Sequence, residues 1–103
     1  MWQNSLDENL LKHKHDVENY QGTKQQLAEE IGNLFYDSLA EFLDLLSAKI
    51  EKDSKADEAR GRVKLAANLH ECAIKLTEAS ADISKAWKIC EPYMHHNNDK
   101  DCL

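Results

Sequence analysis

The sequence predicts an all-α fold, an antiparallel helical hairpin with a short N-terminal helix that self-association completes into a helical bundle. The 103 residues include only three glycines and one proline, too few for a fold built on many turns. Apolar residues recur at spacings of three and four along most of the chain, which is typical of amphipathic helices. A chain of this length forms a single domain, here residues 1–103.

The charge and the cysteine content indicate the class of protein. The net charge is −6, and an acidic chain repels phosphate backbones, so we expect no nucleic-acid partner. No run approaches the roughly 18 consecutive apolar residues of a membrane span, and the first residues lack the pattern of a secretory signal. Three cysteines without zinc-type spacing fit reduced thiols. We therefore expect a cytoplasmic protein without a membrane partner.

The first predicted helix covers about residues 5–20. Ser5 and Glu8 have the spacing of a capping box, in which the two side chains bond to backbone N–H groups at the start of a helix. One stripe of the helix is largely apolar, and Gly22 follows where a helix would end. The stripe contains Leu6, Leu10, His13, Val17 and Tyr20.

The second predicted helix covers about residues 24–52, and a second capping box, formed by Thr23 and Gln26, precedes it. Its apolar residues cover about half of the helix circumference, more than the ~100° stripe that one packed face needs. We therefore expect part of this face to bind a second copy of the chain. The residues expected at this interface are Phe35, Leu39, Phe42, Leu43, Leu46 and Ile50.

The opposite side of the same helix is acidic. Acids recur there every seven residues, and no base lies between Lys24 and Lys49. Such a stripe could meet a basic protein surface or could simply keep an apolar helix in solution. The stripe consists of Glu30, Asp37, Glu41, Asp44 and Glu51.

The third predicted helix covers about residues 55–91, and Pro92 ends it. We predict a tight turn near 52–54, with Ser54 as the N-cap, because the apolar pattern lapses from residue 51 to 62. Gly61 is a competing start, and one continuous rod is the other alternative. The tail, residues 92–103, has no period and is expected to be mobile.

Two rows of residues at seven-residue spacing lie on one side of the third helix. One row is small until its last member and would let a partner helix approach closely, whereas the other is mostly large. The first row is Ala59, Ala66, Ala73, Ser80 and Trp87, and the second is Arg62, Leu69, Leu76, Ile83 and Cys90.

The candidate metal and nucleophile sites do not converge. His70, Glu71 and Cys72 are consecutive, so on a helix they point in different directions. No Glu is followed three residues later by His, as the di-iron helical bundles require. We expect no catalytic residue, no metal site and no cofactor.

One short segment, Glu29-Glu30-Ile31-Gly32-Asn33-Leu34-Phe35, resembles the Glu-Glu-x-Gly-Asp-Leu segment of the all-α nucleotide pyrophosphohydrolases, the MazG-like family. In that family a Glu-x-x-Asp pair and an upstream Glu-x-x-Glu pair hold Mg²⁺ against the substrate phosphates. The resemblance places Glu30 at the Glu position and Asn33 at the Asp position, and this chain has no upstream Glu-x-x-Glu.

Two functions follow from these observations. The first is a non-catalytic interaction module, such as an adaptor, small chaperone or regulator, that forms a homodimer through the second helix. The alternative is a degenerate relative of the Mg²⁺-dependent pyrophosphohydrolases, because Asn33 carries no charge to hold the ion. Carboxylates converging from two helices would favour the enzyme, and a stripe along one helix favours the module.

Overall fold

The computed structural model describes residues 13–94, and within this range it is helical without strands. Its α-helices are α1 (Lys24–Gly32), α2 (Tyr36–Ala59) and α3 (Val63–Cys90), and the short 3₁₀-helix Glu91–Tyr93 follows. Helices α2 and α3 pack against each other as a hairpin. The predicted all-α fold with a helical hairpin is therefore confirmed.

The described part of the predicted N-terminal helix, residues 13–20, is not helical. The phenol of Tyr20 donates a hydrogen bond to the Glu30 carboxylate in α1, and the Tyr20 ring lies so close to Gly22 that a Cβ there would be 2.7 Å from it. Val17, expected on the apolar stripe, is 52% exposed. The segment thus turns back onto α1, and the prediction for residues 5–20 is wrong over 13–20. Residues 5–12 lie outside the described range.

The predicted second helix, 24–52, is two helices separated by residues 33–35. Its start is correct, because Thr23 and Gln26 form the predicted capping box. Gly32 and Asn33 are both weak helix formers. The backbone N–H of Asn33 donates to the carbonyl of Glu29, and that of Leu34 donates to the carbonyl of Ile31, which ends α1. Phe35 then takes an extended conformation, which starts α2 in a new direction.

The turn of the hairpin lies at residues 60–62 and not at 52–54. Ser54 is not an N-cap. It is buried within α2, and its hydroxyl donates to the carbonyl of Ala66 in α3 at 2.7 Å. Gly61 has a φ of 83°, a conformation that residues other than glycine rarely adopt. The alternative prediction, that the third helix starts near Gly61, therefore locates the turn correctly. The apolar pattern lapses at 51–62 because polar and small residues build this end of the hairpin.

A buried ion pair holds the turn. The side chain of Asp57 is 2% exposed, and its carboxylate accepts a hydrogen bond from the Arg62 guanidinium at 2.9 Å. The Asp57 carbonyl also accepts from the backbone N–H of Arg62 at 2.9 Å. A buried carboxylate is costly unless it is paired, so these two contacts fix Arg62 directly before α3.

Alanine and serine side chains form the contact between α2 and α3. Each of three rungs pairs a serine of one helix with an alanine of the other, and the serine hydroxyl donates to the alanine carbonyl. The rungs are Ser54 to Ala66 at 2.7 Å, Ser47 to Ala73 at 2.7 Å and Ser80 to Ala40 at 3.0 Å. Such short side chains let the two backbones approach closely. We call these six residues the seam.

The seam confirms the middle of the predicted small row, because Ala66, Ala73 and Ser80 are all buried. The members at the turn differ from the prediction, since Ala59 ends α2 and Arg62 lies in the turn itself. Cys90 is buried, whereas Leu69, Leu76, Ile83 and Trp87 are half-buried.

The molecule is thin. Its Cα atoms extend over 58 × 29 × 14 Å, and its radius of gyration is 17.4 Å, against about 13 Å for a compact domain of roughly 100 residues. A thickness of 14 Å is little more than one layer of helices. Domains usually bury their core between two packed layers, whereas within residues 13–94 the hairpin of α2 and α3 forms a single layer and leaves the large side chains beside the seam partly exposed.

Candidate functional site

The residues predicted to form an interface on the second helix lie together along α2 and at its start. All six keep some exposure to solvent. Phe35 is 55% exposed and Leu46 is 37% exposed, and Leu39, Phe42, Leu43 and Ile50 are half-buried. We call these six residues the apolar surface of α2.

Phe35 anchors one end of the apolar surface to α3. Its ring centroid lies 6.1 Å from that of Trp87, with the two ring planes tilted by 35°. Aromatic pairs prefer such offset geometries, and this one ties the α1–α2 connection to the open end of the hairpin. Trp87 was expected to close the small row there, and it is half-buried.

The acidic stripe does not run along one helix as the sequence predicted. Glu30 lies in α1, beyond the break at 33–35, and accepts the hydrogen bond from Tyr20. The other members lie in α2, where Asp37, Glu41 and Asp44 are exposed and Glu51 is partly covered. With α-helical geometry of about 100° per residue, the seven-residue series in α2 lies across the seam from the apolar surface.

On the acidic side of the seam, an open groove follows the line between α2 and α3. Its central part has a volume of about 470 Å³, and the neighbouring parts share lining residues with it at both ends. Glu51 and His70 are shared with the part nearer the turn, and Asp44 and Thr77 with the part nearer the open end. The groove therefore continues along α3 from Val63 to Lys88, which is about 37 Å of helix.

Apolar and acidic residues line the centre of the groove. Its floor contains Ala48, Ala73 and Ile74, and Ile74 is 39% exposed. Acids stand on both walls, with Asp44 and Glu51 on α2 and Glu78 on α3, but among the described residues these carboxylates do not converge as a metal site would require. The remaining lining residues are Ser47, His70 and Thr77.

An ion pair between His70 and Glu51 crosses the groove. The Nδ1 of His70 lies 2.7 Å from the Glu51 carboxylate. This hydrogen bond, and then the negative charge of Glu51, raise the pKa of His70 above its usual value. The hydrogen bond to Glu30 likewise raises the pKa of Tyr20, because it stabilises the neutral phenol. His70 thus contacts α2, while the neighbouring Glu71 and Cys72 are exposed.

The residues of the pyrophosphohydrolase resemblance lie at the end of α1. Glu30 accepts from Tyr20, and Asn33 caps the helix through its backbone N–H. Gly32, between them, lies in open space, since a Cβ there would meet no atom within 4 Å. Within residues 13–94, no group of three or more His, Cys, Asp or Glu side chains is arranged to hold a metal ion.

The groove, and the half of the seam that lies on α2, were not predicted from the sequence. The signal for the seam was present, because small residues recur every seven positions in the second helix as they do in the third. This row is Asn33, Ala40, Ser47, Ser54 and Gly61. Ile74 and Glu78 could not be assigned to a groove until the pairing of the two rows was known.

Comparisons of the chain with protein-family models, curated proteins and solved structures found no match. Over the described residues, the helices lack the combination of length and apolar character needed to cross a membrane.

Proposed function

We propose that the chain is a non-catalytic interaction module that self-associates through the apolar surface of α2. One observation carries this proposal. Among residues 13–94, the buried apolar residues are Ala40, Ala66, Ala73 and Cys90, and every larger aliphatic or aromatic side chain keeps contact with solvent. The hairpin is held by alanines and serines, which leaves its large side chains available to a partner.

The energetic argument rests on burial. Fully burying one Leu, Ile or Phe side chain stabilises by roughly 1.5–3 kcal/mol relative to exposure. The net stability of a domain is only about 5–15 kcal/mol, so the free energy gained by completing the burial of several such side chains is large in comparison. A second hairpin laid on the apolar surface of α2 would supply the missing layer.

A two-fold pair is the simplest arrangement that covers this surface. Two hairpins give a four-helix core, and two-fold dimers are the commonest symmetric assemblies. The acids of α2 lie across the seam from the apolar surface, so the pairing need not bring them together. A cytoplasmic location is part of the same proposal, supported by the exposed thiol of Cys72.

Sedimentation equilibrium at micromolar concentration tests the proposal. We expect a mass of twice the 11.8 kDa chain. Leu46→Lys puts a charge on the apolar surface and should shift the protein towards the monomer. The matched control is Leu45→Lys, because Leu45 is 64% exposed, is not one of the six residues of the apolar surface and lies about 100° around α2 from Leu46.

Two outcomes would reject the dimer. One is a wild-type mass of 11.8 kDa without aggregation. The other is equal weakening of association by Leu45→Lys and Leu46→Lys, which would mean that the interface lies elsewhere.

A further inference from the structure

The groove between α2 and α3 is separate from the proposed dimer interface. None of the six residues of the apolar surface of α2 lines it. Its floor is small and apolar, and the exposed side chain of Ile74 stands in it. Small residues along two adjacent antiparallel helices leave a depression into which a third helix can pack its ridge of side chains.

The charges along the groove are not uniform. Asp44, Glu51 and Glu78 line its centre, where His70 pairs with Glu51 and no lysine or arginine is among the lining residues. Lys55 and Glu58 line the part nearer the turn and offset each other, whereas Lys85 and Lys88 line the part nearer the open end. A cation in the groove is therefore attracted at the centre and repelled at the open end.

We propose that this groove is a docking site for an amphipathic helix of a partner protein that places lysine or arginine opposite the three central acids. The apolar side of that helix packs on Ala48, Ala73 and Ile74. Helices commonly dock in this way, with an apolar stripe in a groove and charges that fix the register. The docking rests on the proposed role as an interaction module and adds the chemistry of its partner.

The charge pattern sets the register of the partner helix. A groove of about 37 Å accepts a helix of up to roughly 25 residues. Its basic residues must lie near the middle, because the three acids are there and because Lys85 and Lys88 disfavour bases at the open end. A helix with the same residues rearranged, its bases at the ends, should bind weakly.

The test uses synthetic amphipathic peptides with one leucine and alanine stripe. The first carries two arginines at its centre, the second carries two glutamates there, and the third has the composition of the first with the arginines moved to its ends. Binding to the full chain is measured by fluorescence anisotropy. We expect the first peptide to bind at least tenfold more tightly than either of the others.

Variants of the chain locate the binding. Asp44→Lys/Glu78→Lys should weaken binding of the first peptide at least tenfold. The control Glu29→Lys/Asp82→Lys changes the net charge equally at exposed residues that do not line the groove, and it should have less than a twofold effect. If the first variant fails to fold, Asp44→Asn/Glu78→Gln removes the same charges with less disturbance and should also weaken binding.

Several results would overturn the docking site. They are absence of binding by the first peptide at about 1 mM, equal binding of the first and third peptides, and equal losses in the groove variant and its control. Leu46→Lys, on the apolar surface of α2, is expected to bind the peptide as the wild type does. Loss of self-association and loss of docking are therefore separate results.

Discussion

Because Ala73 belongs to the seam, we predict that a larger side chain at this position lowers the free energy of unfolding. Ala73 is 5% exposed, and its carbonyl accepts the Ser47 hydroxyl at 2.7 Å, so the two helices are in close contact there. Ala73→Leu would push them apart at a cost of about 1–3 kcal/mol for overpacking. It would also break the rung, which contributes about 0.5–1.5 kcal/mol.

Together these effects give a loss of about 1.5–4.5 kcal/mol in the free energy of unfolding. A change of 1 kcal/mol shifts the Tm of a domain of this size by roughly 4–8 °C, so we expect a drop of at least about 6 °C. The measurement is thermal unfolding followed by circular dichroism, with all variants at one protein concentration because dimerisation raises the apparent Tm.

Ala67→Leu is the matched control, because Ala67 is exposed on the same turn of α3. A surface change of this kind stays within about 0.5 kcal/mol. Ser47→Ala adds a further check, since removing the hydroxyl should cost less when Ala73→Leu has already broken the rung. The assignment of the seam is refuted if Ala67→Leu lowers the Tm as much as Ala73→Leu does.

Two further predictions concern the turn and the groove. Gly61→Ala should lower the Tm, because a φ of 83° costs an alanine about 1–2 kcal/mol. Gly32→Ala should raise the Tm, because a Cβ at Gly32 meets no atom and alanine reduces the entropy of the unfolded chain. Thermal melts that shift both variants in the same direction would contradict this reasoning. His70 has a raised pKa in the folded chain, so its ion pair stabilises fully below the unfolded value of about 6.5, and this contribution disappears as the pH rises through the folded pKa. Chemical denaturation should therefore show a larger difference between wild type and His70→Gln at about pH 5.5 than at about pH 8.5, and an equal or reversed difference would exclude a role for the charged pair.

The dimer and the docked helix make different demands on the hairpin. The proposed dimer needs large apolar side chains along α2, and the proposed docking needs small ones along the groove with acids beside them. Both patterns coexist because the short side chains of the seam hold α2 and α3 close together. A seam built from leucines would have separated the helices further and drawn the large side chains into the hairpin itself.

The sequence by itself determined the helical class, the hairpin and one side of the seam. Periodicity carries this information, because Ala66, Ala73 and Ser80 can share a face only on a helix. The capping box at Thr23 was also readable, since it depends on residues three positions apart. Leu39, Phe42, Leu43, Leu46 and Ile50 lie in one helix, as periodicity predicts, whereas Phe35 precedes that helix.

The tertiary structure alone decided which serines cap helices and which cross between them. Ser54 has the local signature of an N-cap, but its hydroxyl reaches the Ala66 carbonyl, a partner that the local sequence does not reveal. The turn moved to Gly61 because the rungs and the pair of Asp57 with Arg62 favour a longer α2. Tyr20 likewise lies outside any helix, and its hydroxyl donates to the carboxylate of Glu30, ten residues later in the chain. In each case a hydrogen bond between separate segments outweighed a local preference for helix or cap formation of about 1 kcal/mol or less. Periodicity and helix propensity cannot reveal such a hydrogen bond.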